Sequence, residues 1–154
     1  MSQHDDKRLF SRIIPELGEW NEGKGIEAED WIYIKGRYDL AVGYSLIYWP
    51  RFVEFEGYIL RSGFAIDSLR GFEKQSNNNR ATVESVMNSI DLGDIHRDNG
   101  MPSEEQVQYL GMVLRDLHEL KLSRDFPNRN FEIAINDDLA SGYLDSELTF
   151  WQVD

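Results

Sequence analysis

The stretch YSLIYWPRFVEFEGY, residues Tyr44–Tyr58, decides the fold, because it changes its periodicity halfway along. Leu40, Tyr44 and Tyr48 recur at spacing four with Ala41 and Ile47 beside them, which predicts a helix over Arg37–Tyr48. Pro50 disfavours the α region for Trp49 and stops that helix. Beyond it, Val53, Phe55, Gly57 and Ile59 alternate with Phe52, Glu54, Glu56, Tyr58 and Leu60, the period of a strand. Proline at the first helical position also suits a turn from Pro50 to Phe55. The sequence reading therefore places a turn first, and a strand from about Glu56 with a bulge at Gly57. The stretch holds six of the nineteen aromatic residues. Aromatic side chains contribute large buried area, so most of these rings are expected in the core, with Trp49 the one nearest solvent.

Working outward, Asp5 and Asp6 cap a short first helix through Leu9, Phe10, Ile13 and Ile14, limited by Pro15. Gly18–Gly25 reads as a loop. Glu27, Glu29 and Asp30 open a helical turn over Glu27–Ile34 that Gly36 ends. Gly63–Asn79, with Gly71 and the run Ser76-Asn77-Asn78-Asn79, reads as a loop. Asn79 caps a helix over Arg80–Ile90. Ser103 and Gln106 form a capping-box pattern that opens the longest helix, running to about Arg124. Phe131–Ile135 and Leu148–Val153 alternate as strands, with Leu148 and Phe150 pointing opposite to Trp151 and Val153. The elements do not alternate regularly, so the expected class is α+β: about four helices with a small, mostly antiparallel sheet and a C-terminal strand pair, in a single domain over residues 1–154.

Composition narrows the function classes. The formal charge of −12, from 28 acids against 16 bases, repels nucleic acid and anionic lipid and attracts a basic protein. The charge is segregated. After Arg129 there is no Lys or Arg, while Glu132, Asp137, Asp138, Asp145, Glu147 and Asp154 follow. There is no cysteine, which removes disulfides and thiolate metal sites and fits a reducing compartment. The polar N-terminus does not read as a signal peptide, and no apolar run approaches the length of a membrane span. The expected placement is cytoplasmic.

Catalytic motifs are absent: no G-x-S-x-G, no phosphate-binding glycine loop, no H-E-x-x-H. Asp91, Asp94, His96 and Asp98 gather oxygen and imidazole ligands within eight residues, but they lack the EF-hand spacing and enclose Arg97. A polar turn is the leading reading there, and a metal-dependent hydrolase is the alternative. His118, between Leu117 and Glu119 on the long helix, reads as a boundary or solvent-facing residue. No cofactor is implied.

The blocks YWPRFVEFEG, DFPNRNFEIAIND and LTFWQ, in that order, resemble those of a family of small, uncharacterised bacterial proteins, from about Tyr44 onward. No active site travels with the resemblance. In size, acidity and lack of cysteine the chain is also similar to immunity proteins that neutralise bacterial toxins. The resulting expectation is a non-enzymatic binding protein for a basic partner such as a toxin. Its contact residues would be Asp137, Asp138, Asp145 and Glu147, with Trp49 or Trp151 as aromatic anchor. A homo-oligomeric protein is a third reading.

Overall fold

The computed structural model describes residues 3–95, 100–136 and 142–153. The chain divides into two compact units, Met1–Tyr44 and Ser45–Asp154, with the division inside a helix.

In the first unit, helix α1 (Gln3–Ile13) leads through a 3-10 turn at Pro15–Gly18 to the short segment α2 (Trp20–Gly23). Asn21 and Glu22 take positive φ there, so the predicted loop is a left-handed turn rather than a regular helix. Helix α3 (Ala28–Lys35) carries Glu29 and Asp30 in its first turn and Lys35 in its last, each charge opposing the near end of the helix dipole. Gly36 follows it, as the sequence predicts. Helix α4 (Tyr38–Tyr48) bridges the division. Among the described residues of this unit, Ile13 and Leu17 are the buried apolar side chains. Lys35 pairs with Glu16 at 2.9 Å and lies over the Trp20 ring, and the ammonium holds the Glu16 carboxyl below its ordinary range.

In the second unit, α4 ends at Tyr48, before Pro50. Strand β1 (Phe52–Phe55) pairs antiparallel with β2 (Tyr58–Arg61). The two-residue turn Glu56-Gly57 has positive φ at both positions, 51° and 86°, the geometry of the tight hairpins whose twist matches their strands. The sequence reading is corrected here. The strand starts at Phe52 instead of Glu56, and Gly57 makes a turn, not a bulge. Alternation runs unbroken through a two-residue turn, so periodicity alone could not locate it.

Helix α5 (Ile66–Gln75) occupies the region expected as loop. Its Leu69 is fully buried and Phe72 packs beside it, and that burial outweighs Gly71, which costs about 1 kcal/mol in a helix interior. Asn77 and Asn78, both at positive φ, end it. Helix α6 (Arg80–Met87) is capped by the Asn79 side chain, which accepts from the Thr82 N–H at 2.9 Å. It stops short of Ile90, because Ile90–Asp91 forms the short strand β3. Helix α7 (Glu104–Asp125) opens with the predicted capping box: Gln106 N–H donates to Ser103 Oγ, and Ser103 N–H donates to the Gln106 side chain. Strands β4 (Asn130–Asn136) and β5 (Glu147–Val153) complete a three-stranded antiparallel sheet ordered β3-β5-β4. The class is α+β. Among the described residues there are seven α-helical segments rather than about four; the unpredicted ones are α2, a four-residue segment with left-handed backbone inside it, and α5, fixed by the burial of Leu69.

The inner face of the three-stranded sheet carries Leu148, Phe150, Ile133 and Ile135. It packs on Val107, Leu114 and Leu122 of α7, with Phe52 and Ile59 of the hairpin closing one end. A second layer joins Tyr58 and Leu60 to Leu69 of α5 and Val83 of α6.

Glu84 and Asn88, one turn apart on and just after α6, join the two sheets. Both are buried. The Glu84 carboxylate accepts from Ile59 N–H and Gln152 N–H, each at 2.7 Å, and from the Gln152 amide at 2.5 Å. The Asn88 amide donates to the carbonyls of Ile59 and Phe150, and its oxygen accepts from Arg61 N–H. β2 and β5 do not bond to each other. Two side chains satisfy their facing backbone groups instead, which is what burial of those groups demands.

Candidate interaction surface

Residues directly opposite on antiparallel strands point to the same face. The register therefore assigns the outer face of the sheet row by row. Asp91, Glu147 and Asn136 form the first row, Thr149 and Ala134 the second, Trp151 and Glu132 the third, Val153 and Asn130 the last. Thr149 is covered, its hydroxyl donating to the Ser85 carbonyl of α6. The other rows meet solvent. Trp151 is half-buried, while Asp91, Glu132, Asn136 and Glu147 are exposed. Asp145, in the 3-10 turn Tyr143–Asp145 just before β5, is exposed as well.

An indole thus lies beside Glu132, with Glu147 four residues away along its own strand, roughly 13 Å at 3.3 Å per residue. Among the described residues, Asp91, Glu132, Asp145 and Glu147 have no ion-pair partner. Some carboxylates elsewhere do: Glu54 pairs with Arg129 at 2.9 Å and Glu56 with Arg70 at 2.8 Å. The outer face is an apolar ring surface bordered by uncompensated negative charge. Such a surface can stack against a guanidinium or an alkyl-ammonium side chain while the carboxylates bind its charge.

Of the residues expected from sequence, Asp145, Glu147 and Trp151 fall in or beside this face. Glu132 joins them, and only strand register could have shown it as the neighbour of Trp151. Asp137 and Asp138 follow β4 and lie outside the described residues. Trp49 lies elsewhere, just past α4, with 42% of its surface exposed and the Lys121 ammonium over its ring at 5.6 Å.

His96 and Asp98 of the alternative metal cluster also lie outside the described residues. Asp91 and Asp94 make a local turn in which the Asp91 carboxylate accepts from Asp94 N–H at 3.1 Å. Among the described residues, no group of His, Asp and Glu could hold a metal ion. His118 is neither at a boundary nor in solvent. It is buried, 5.7 Å from the Phe52 ring and 6.4 Å from Phe150, with Nδ1 bonded to the Leu114 carbonyl at 2.8 Å. Its neighbours in sequence, Leu117 and Glu119, sit on other sides of the helix and could not show this. No helix is long and apolar enough to cross a membrane among the described residues.

Comparison of the chain with family models, with characterised proteins and with solved structures finds no match.

Proposed function

We propose that this chain is a non-enzymatic binding protein, and that the outer face of its three-stranded sheet takes a basic protein partner. The observation that carries this reading is the outer face itself: Trp151 beside the unpaired carboxylate of Glu132, with those of Glu147 and Asp91 two rows away on the same face. Trp is among the residue types enriched at the centres of binding energy, and acidic complementarity accelerates encounter with a cationic partner. The net charge of −12 acts in the same direction at long range. An immunity or inhibitor role is the most concrete form: the acidic face covers a cationic active site, and the toxin is neutralised by occlusion.

The test is retention of proteins from the source cell on the immobilised chain at low and at high salt. The reading expects a basic protein retained at low salt and released by high salt. Retention of no basic protein at low salt would overturn it.

A further inference from the structure

We propose that the basic partner adds a strand to the free edge of β4, as an antiparallel segment that alternates Lys or Arg with apolar residues. This deepens the function proposed above and rests on it. β4 lies wholly within the second unit, and the order β3-β5-β4 makes it an edge of the sheet. Its backbone groups divide between its two sides, because successive residues of an antiparallel strand send their N–H and C=O alternately to one neighbour and the other. Just before β5 the Ser146 carbonyl accepts from Leu92 N–H, and along β5 the Phe150 carbonyl accepts from Asn88 and Gln152 N–H donates to Glu84. These residues address the side away from β4, so Glu147, Thr149, Trp151 and Val153 address β4. Their partners Asn136, Ala134, Glu132 and Asn130 return those bonds. Phe131, Ile133 and Ile135 are left, each with an N–H and a C=O directed out of the sheet. Among the described residues none of these groups has a hydrogen-bond partner. Such edges are ordinarily blunted by Lys, Pro or a bulge. The strand NFEIAIN has no Lys and no Pro, and its register with β5 runs from Asn130 to Asn136 without a break.

Charge selects the occupant. A strand bonded to Phe131, Ile133 and Ile135 sets its opposing side chains on the inner face, where those three are partly buried and apolar residues extend the row. The intervening side chains fall on the outer face beside Glu132, the one charged residue of β4, exposed and without an ion-pair partner among the described residues. A cation there meets an unpaired carboxylate. A second copy of this chain would instead bring its own Glu132. With the three edge residues of each copy bonded to one another, the two Glu132 Cβ atoms lie on a diagonal roughly 7–8 Å apart, and neither gains a counter-charge. Each copy also carries a charge of −12. Backbone bonds then supply affinity and the alternate side chains supply specificity, the division of labour in strand addition.

The probe is a seven-residue peptide of alternating lysine and valine that begins and ends with lysine, titrated into the full chain by calorimetry at low salt. Its valine N–H groups meet β4 and its lysine N–H groups point outward. N-methylation deletes a donor and leaves the charge unchanged. Methylating the three valines should weaken binding by about tenfold or more, and methylating three lysines by less than about threefold. Glu132→Lys, at an exposed position, should weaken the unmethylated peptide by about tenfold or more with an unchanged circular dichroism spectrum. No binding of the unmethylated peptide would overturn the proposal. Equal affinities for the two methylated peptides would overturn it as well, and a loss in Glu132→Lys alongside them would leave the acidic-face reading standing without strand addition. Failure of that reading shows separately, in the retention experiment. A chain that sediments as a dimer, dispersed by the unmethylated peptide, would give the edge to a second copy and overturn the proposal too.

Discussion

Protonating His118 should destabilise this protein. Its Nδ1–H donates to the Leu114 carbonyl, so Nε2 is left as an acceptor, and that atom is buried without a partner. A second proton would have to sit on Nε2, among the Phe52 and Phe150 rings. Burial there, with the positive charge of Arg61 adding to it, pushes the His118 pKa down to about 4 from 6.5. The sign follows from proton counting. Between those two pH values the unfolded chain binds a proton at this residue and the folded chain does not. The contribution is therefore fully present above about 6.5 and is lost as pH falls toward 4. At 1.36 kcal/mol per pH unit the ceiling is about 3.4 kcal/mol, of which about 2.5 kcal/mol is gone by pH 4.5. That is a large share of the 5–15 kcal/mol that holds a typical domain together. The assay is urea denaturation at several pH values between 7.5 and 4.5, on wild type and His118→Leu. Leucine is close to histidine in volume and removes the bare acceptor, so the variant should stay within about 1.5 kcal/mol of wild type at pH 7.5. Carboxylate titrations act on both proteins and cancel in the difference. The two stability curves should converge or cross on acidification, with the variant gaining about 2.5 kcal/mol relative to wild type by pH 4.5. Parallel curves over the whole range would refute the reasoning.

Two further outcomes follow from the packing. Glu84→Ala strands the N–H groups of Ile59 and Gln152 in a dry interior, and should cost about 3–5 kcal/mol in urea denaturation, the largest effect among the buried polar residues. Gly93→Ala would set a Cβ 2.2 Å from the Leu144 carbonyl oxygen, a backbone atom that cannot turn aside. It should cost about 1–3 kcal/mol by the same measure.

The parts of this fold legible in the sequence were those with a local chemical cause. Pro50 ends α4, Asn79 caps α6, and Ser103 with Gln106 opens α7, because each acts on backbone groups within a turn of itself. The strands β4 and β5 were legible from alternation, and so was the opposition of Trp151 to Leu148 and Phe150. The hairpin turn at Glu56-Gly57 was not, since a two-residue turn leaves the alternation intact. Helix α5 was hidden by Gly71 and held in place by Leu69, whose burial depends on β2 and α6. The surface was legible in composition but not in arrangement. Acidic residues late in the chain were evident, whereas the placement of Glu132 opposite Trp151 comes from register. The bridge of Glu84 and Asn88 was invisible, because its partners lie 25 to 68 residues away.

The central claim is that one face, and not the overall charge, recognises a basic partner. The most direct measurement is the affinity of the retained partner for Glu132→Lys/Glu147→Lys, beside the control Asp116→Lys/Glu119→Lys on exposed positions of α7. Both variants change the net charge equally, so long-range steering is matched. The account predicts a loss of about 30-fold or more for the sheet pair and under about fivefold for the control. Equal losses in the two variants would contradict it.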